Sequence, residues 1–178
     1  MSDIINLVHQ ELVAFVKAGA PTARLVQHQA SKTSEESLRA RRAASGEPDI
    51  GAKALLIKIG VRDKPDAFAV IVLPSSDKLD SKALKRELKA RVPGMRSFRF
   101  ATPEEMHTHA RGMEPGRMPP FGRPLFPGVD FTFIDAALAD HPRIGFNAAD
   151  FKSSIIMDCD DYLTMVTHDG IFVCSSSS

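Results

Sequence analysis

The chain of 178 residues has no tryptophan, one tyrosine and two cysteines, Cys159 and Cys174. Two thiols make no disulfide framework, and a chain of this length buries roughly two-thirds of its unfolded surface without one. No apolar run approaches the roughly 20 residues needed to cross a bilayer. The start, Met-Ser-Asp-Ile-Ile, has neither a basic segment nor a small-residue cleavage site. The expectation is one domain over residues 1–174, placed in the cytoplasm with no membrane partner, and a frayed tail at 175–178. Also missing are a Gly-x-Gly-x-x-Gly or Walker loop, a Gly-x-Ser-x-Gly elbow and the His-Glu-x-x-His signature, so the common nucleotide, serine-hydrolase and zinc readings have no support. The one close histidine pair, His107 and His109, falls on a predicted helix, where side chains two apart diverge by about 200°. Cys159 sits among Asp158, Asp160 and Asp161, whose charge disfavours a thiolate, and Cys174 reads as a small core residue. No metal and no cofactor is expected.

Charge is balanced overall at +1 but segregated along the chain. Between residues 82 and 99, seven cations (Lys82, Lys85, Arg86, Lys89, Arg91, Arg96, Arg99) face Glu87 alone, whereas from Asp130 onward eight aspartates face Arg143 and Lys152. The basic run is either a solvated helix face or a patch that docks a polyanion.

Apolar spacing predicts an amphipathic helix over 4–16, carried by Ile4, Leu7, Val8, Leu12, Phe15 and Val16 and stopped by Gly19 and Pro21. A short strand over 23–26 precedes a helix capped by Thr33 or Ser34, with Glu36 at capping-box spacing. Runs over 52–59 and 67–73 read as a hairpin. Asp80 caps the next helix, a strand follows over 97–100, and Thr102-Pro103-Glu104-Glu105 starts another helix. Four proline or glycine pairings between residues 111 and 128 forbid regular structure there. Because that stretch also holds Met113, Met118, Phe121, Leu125 and Phe126, it reads as an ordered loop lining a site. Strands over 131–134, 143–146 and 154–157, a helix over 158–166 and a strand over 171–174 complete the chain. Without a regular strand–crossover alternation, a mixed sheet with outer helices is expected rather than a doubly wound one.

Three residues pose chemical questions. Lys53 lies within Gly51-Ala52-Lys53-Ala54-Leu55-Leu56-Ile57-Lys58 and points inward if Leu55 and Ile57 do, or outward if Ala54 and Leu56 form the buried face. Asp135 ends an apolar strand and either faces a pocket or caps a helix at Ala136-Ala137-Leu138. Gly116 either lets backbone amides approach a ligand or simply makes a turn.

The same residues carry a resemblance. His28, Thr33-Ser34-Glu35-Glu36, Gly51-Ala52-Lys53-Ala54-Leu55, Val72-Leu73-Pro74, Thr102-Pro103-Glu104-Glu105, the loop Gly112-Met113-Glu114-Pro115-Gly116-Arg117-Met118-Pro119-Pro120-Phe121-Gly122, Ile134-Asp135 and Phe146-Asn147-Ala148 follow one another as in the YbaK family, the aminoacyl-tRNA deacylases associated with prolyl-tRNA synthetases. The resemblance spans nearly the whole chain. It implies an α+β fold whose mixed, largely antiparallel sheet closes around a small pocket with helices packed outside. It also implies catalytic roles for Lys53, Gly116 and Asp135, and substrate contacts from His28, Thr33, Ser34, Met118, Phe121 and Asn147. The implied reaction is metal-independent, substrate-assisted hydrolysis of a mischarged small amino acid from tRNA. On that reading Lys82, Lys85, Arg86 and Lys89 contact the tRNA, and a synthetase is a possible partner; a non-catalytic module binding tRNA or a synthetase is the alternative. Two departures stand out: Arg111-Gly112 where many relatives have Thr-Gly, and Ala148-Ala149 where they have Gly-Gly or Ala-Gly. The second adds a methyl where close backbone approach is usual.

Overall fold

A computed structural model describes residues 3–31, 33–46 and 49–177. In chain order the elements are α1 (Asp3–Gly19), β1 (Arg24–Gln27), α2 (Ser34–Ser45), β2 (Ile50–Val61), β3 (Ala67–Pro74), β4 (Lys78–Leu79), α3 (Ser81–Arg91), β5 (Met95–Phe100), α4 (Pro103–His109), β6 (Phe131–Asp135), α5 (Ala136–Ala139), β7 (Arg143–Asn147), β8 (Ser153–Asp158), α6 (Cys159–Met165), β9 (Gly170–Phe172) and β10 (Ser175–Ser176). No helix among the described residues is long and apolar enough to cross a membrane.

Local chemistry sets the helix starts. Thr33 caps α2 and exchanges a reciprocal pair of bonds with Glu36, Thr102 does the same with Glu105 on α4, and Asp80 accepts from Lys82 and Ala83 at the start of α3. Gly46, in the left-handed region at φ +71°, ends α2. On α1 the buried residues are Ile5, Val8, Leu12 and Val16, whereas Ile4 and Leu7, expected on the apolar face, are about half exposed.

Strands run in the order β1-β8-β7-β2-β3-β6-β9, with β5 also paired to β2, in a mixed and mostly antiparallel sheet. The parallel pairs are β2 with β7, β3 with β6 and β6 with β9. The path ends at β1 and β9 and does not close into a barrel. Long β2 serves two partners along one edge, β7 at Ile50 and Gly51 and β5 from Ile57 to Val61, while β3 fills the other edge. The tail expected to fray contains Ser175 and Ser176, which pair with Leu79 and Lys78 as β10.

Both faces of the sheet are buried. Phe68, Val70 and Val72 of β3 pack with α1, α6 and the loop at 111–128, whereas Ala69, Ile71 and Leu73 pack under Leu84 and Leu88 of α3. Strands covered on both sides read as unbroken apolar runs. The choice between two faces for β2 therefore dissolves: Ala54 and Leu56 enter one core, Ile57 and Ile59 the other. Alternation puts Lys53 on the side of Ile57, just beyond the end of that core.

The loop at 111–128 is ordered, as its apolar content implies. Met113, Met118, Phe121, Leu125 and Phe126 are buried. Phe121 stands edge-on to Phe15, Phe146 and Tyr162, and the Tyr162 hydroxyl donates to the Pro120 carbonyl at 2.7 Å.

Candidate active site

Where α2 crosses the start of β2, a cleft of about 60 Å³ is lined by Thr33, Ser37, Arg41, Ala52, Lys53, Ala54, Ser75, Gly116, Met118 and Asn147. Thr33, Ser37 and Arg41 are spaced four apart and form one stripe of α2. Among the described residues no carboxylate lines the cleft, and two cations do.

Lys53 is held by the turn after β3. Its Nζ donates to the carbonyls of Ser75 at 3.3 Å and Asp77 at 2.5 Å. An ammonium has three N–H donors, so two are engaged by protein and one is left over. Burial pushes the Lys53 ammonium below its ordinary pKa, and the Asp77 charge works against that shift.

Gly116 adopts φ +85°, a backbone that L side chains rarely reach, although an added methyl would meet nothing closer than Phe151 at 3.8 Å. The glycine is required for conformation rather than room. Its carbonyl accepts from Asn147 Nδ2 at 2.6 Å. Asn147 Oδ1 in turn accepts from Ser154 at 3.4 Å, and Ser154 bonds His28 Nε2 at 2.8 Å. His28 thus stands outside the cleft, at the far end of a chain of polar contacts that fixes the loop.

At the cleft's α2 side, Gly51 and Gly145 lie directly opposite each other in the parallel β2–β7 pair. Over them sits a buried ion pair, Arg41 Nε to Asp49 Oδ2 at 3.0 Å, with side chains 3% and 0% exposed. A Cβ on Gly145 would fall 2.2 Å from Asp49 Oδ2, and one on Gly51 would fall 2.1 Å from Ser75 Oγ and 3.0 Å from Arg41 Nη2. Glycine at both positions makes the slot.

Of the residues singled out from the sequence, Lys53, Gly116, Thr33, Met118 and Asn147 come together in this cleft. Asp135, Phe121 and His28 do not line it. Asp135 is buried; Oδ1 accepts from the Ala137 amide and Oδ2 from the Cys174 amide, both at 2.8 Å, so it caps α5 and ties β9's outgoing chain to β6. Phe121 is core. The side chain of Ser34 lies outside the described residues. Sequence reasoning missed Ser37, Arg41 and Ser75; only the four-residue spacing from Thr33 could have pointed to the first two.

The basic run folds into a separate surface. Lys82 and Lys85 line an open groove of about 550 Å³ with Ser81, Ser97, Phe98, Arg99 and Phe100. Arg99 is bound to Glu105 through both guanidinium nitrogens at 2.7 Å, and Arg86 and Arg91 share Glu87. Lys82, Lys85 and Lys89 lie on one exposed side of α3. Elsewhere the cysteines are free and buried, and burial followed by the charges of Asp160 and Asp140 pushes the Cys159 thiol up to about 11.

The mixed sheet, its α2-covered cleft and the loop centred on Gly116 place a small cleft beside a lysine. The chain belongs to the aminoacyl-tRNA editing domain family, whose model matches residues 28–165. It is similar in fold to the crystal structure of the hypothetical protein APE2540, at 18% identity and TM-score 0.69 over 93% of this chain and 99% of that one. A second similar structure is described as "a putative trans-editing enzyme for prolyl tRNA synthetase", at 17% identity and TM-score 0.69 over 99% of both chains. A third, described as a signal transduction protein from Marinobacter aquaeolei VT8 and "putative" in that role, shares 14% identity and a TM-score of 0.63; the match covers 96% of this chain and 31% of that one. At these identities the likeness is one of fold. No curated protein matches the chain. Family membership places its role in tRNA editing.

Proposed function

We propose that the chain is a free-standing aminoacyl-tRNA deacylase, acting in the cytoplasm on tRNA mischarged with a small amino acid such as alanine, serine or threonine. One observation carries the reading: Lys53 and Gly116, 63 positions apart, meet in one small cleft beside Asn147 and Thr33. The likeness to a structure described as a trans-editing enzyme supports it further.

The chemistry is ester hydrolysis. Water, aided by a hydroxyl of the terminal adenosine, attacks the carbonyl carbon; the bond to the ribose oxygen breaks, that oxygen takes a proton, and the amino acid leaves as its carboxylate. The remaining Lys53 N–H orients the adenosine or its phosphate. Backbone amides at Gly116 meet the carbonyl oxygen as charge builds on it, a contribution of about 3–4 kcal/mol where such donors have been removed from other enzymes. Asp135 enters the proposal as a positioning residue, since both its oxygens already hold backbone amides. A small cleft suits a small amino acid, and selectivity is the purpose, because one methylene is worth only about 1–3 kcal/mol in a first sieve. Lys82, Lys85 and Lys89 supply sequence-independent phosphate contacts, with Arg86 a weaker contributor because Glu87 engages it.

The alternative is a module of the same fold that binds tRNA or a synthetase without turnover. Turnover by the wild type separates the two, and Lys53→Ala tests the site: the folded variant should lose deacylation, and full activity in it would remove the lysine from the mechanism.

A further inference from the structure

We infer that the α2 side of the cleft is an oxyanion subsite in which Arg41 Nη2 receives a phosphate group. Arg41 is 3% exposed and lines the cleft, yet its Nη2 has no hydrogen-bond partner. A buried donor left unpaired is costly, and a charged one more so. The guanidinium spends Nε on Asp49 and keeps a second nitrogen beside Gly51, where the missing Cβ leaves Nη2 and Ser75 Oγ crowded over the same Cα. Lys53 lines the same space with one N–H left over, and neither Asp49, which pairs with Arg41, nor Asp77, whose charge acts on Lys53, lines it. The volume of about 60 Å³ is several times the roughly 10–15 Å³ of such space that a single water requires, so the cleft admits a group larger than one water.

One internal arrangement competes. Asp49 Oδ1 is also buried and unpartnered, so turning the carboxylate to close a full fork with Nε and Nη2 would satisfy both atoms without a ligand. Solution binding distinguishes the two, and it does not depend on ester hydrolysis: failure of either reading leaves the other standing.

Calorimetric titration of the full chain with inorganic phosphate, adenosine 5′-monophosphate and adenosine is the test, run on wild type, Arg41→Lys and Arg41→Met/Asp49→Leu. Lysine keeps a charge for Asp49 but has no second nitrogen for the anion, so phosphate and the monophosphate should each bind at least tenfold more weakly to Arg41→Lys. The double variant removes charge and orphan donor together and should bind neither while unfolding cooperatively; should it fail to fold, Arg41→Lys decides. Competition between the two ligands with tighter binding of the monophosphate identifies a nucleotide-borne phosphate. Equal affinity identifies free phosphate. No binding of either to wild type at millimolar concentrations, binding that Arg41→Lys leaves unchanged, or binding of adenosine alone would overturn the inference.

Discussion

Gly145→Ala probes the glycine slot directly. The new methyl would sit 2.2 Å from Asp49 Oδ2 and 2.5 Å from Arg41 Nε, on an ion pair that is itself fully enclosed. If the pair shifts intact, the cost is that of overpacking, about 1–3 kcal/mol. If it separates, an uncompensated buried charge raises the cost to about 3–5 kcal/mol. For a chain of this size, 3 kcal/mol corresponds to a fall in Tm of roughly 6–12 °C. Urea unfolding followed by circular dichroism reads the loss, with Gly46→Ala as the control: that site has open space and a φ of +71°, so it costs only the left-handed backbone, about 1–2 kcal/mol. Adding Arg41→Met and Asp49→Leu to Gly145→Ala should restore part of the stability. A Gly145→Ala protein within about 0.5 kcal/mol of wild type, the scale of an ordinary surface change, would refute the slot.

Three further outcomes are expected. Reversing the charges of Lys82, Lys85 and Lys89 together should weaken tRNA binding and flatten its dependence on salt, by about 0.7–0.9 in the log–log slope for each phosphate no longer neutralised; unchanged binding would make the face merely solvated. Ala149 is buried at φ +61°, so Ala149→Gly relieves about 1–2 kcal/mol of left-handed strain and offsets its lost methyl, remaining within about 0.5 kcal/mol of wild type. Ala148→Gly, lacking that relief, should be destabilised by at least about 1 kcal/mol more, and equal stabilities in denaturant would contradict the strain. Cys159, buried with its thiol pushed up to about 11, should resist iodoacetamide at pH 8 in the folded protein and react on unfolding; fast native labelling would contradict its placement.

Features set by neighbours in sequence were the legible ones. Thr33, Asp80 and Thr102 cap helices because each cap oxygen and the backbone N–H that donates to it lie within three residues of each other, and the 111–128 loop declared itself by combining prolines and glycines with buried apolar residues. What escaped depends on partners far along the chain. Periodicity could not orient β2, because α1, α6 and the 111–128 loop cover one face of the sheet and α3 the other. The parallel entry of β7 beside Gly51 and of β9 beside β6 left no local mark. Asp135 carried both a cap signal and a pocket resemblance; its bonds to Ala137 and Cys174 make the cap reading structural. Arg41 lay hidden among Arg39 and Arg42 in a basic helix, and only the crossing of α2 over two glycines distinguishes it.

Removal of amino acids from tRNA at this cleft is tested most directly on charged tRNA itself. Purified protein should be incubated, without added metal, with a panel of correctly and incorrectly charged tRNAs, beside Lys53→Ala. The wild type should hydrolyse at least one species carrying a mismatched small amino acid and spare correctly charged ones, and Lys53→Ala should hydrolyse none. RNA binding with no turnover of any species would contradict deacylation and leave the non-catalytic module.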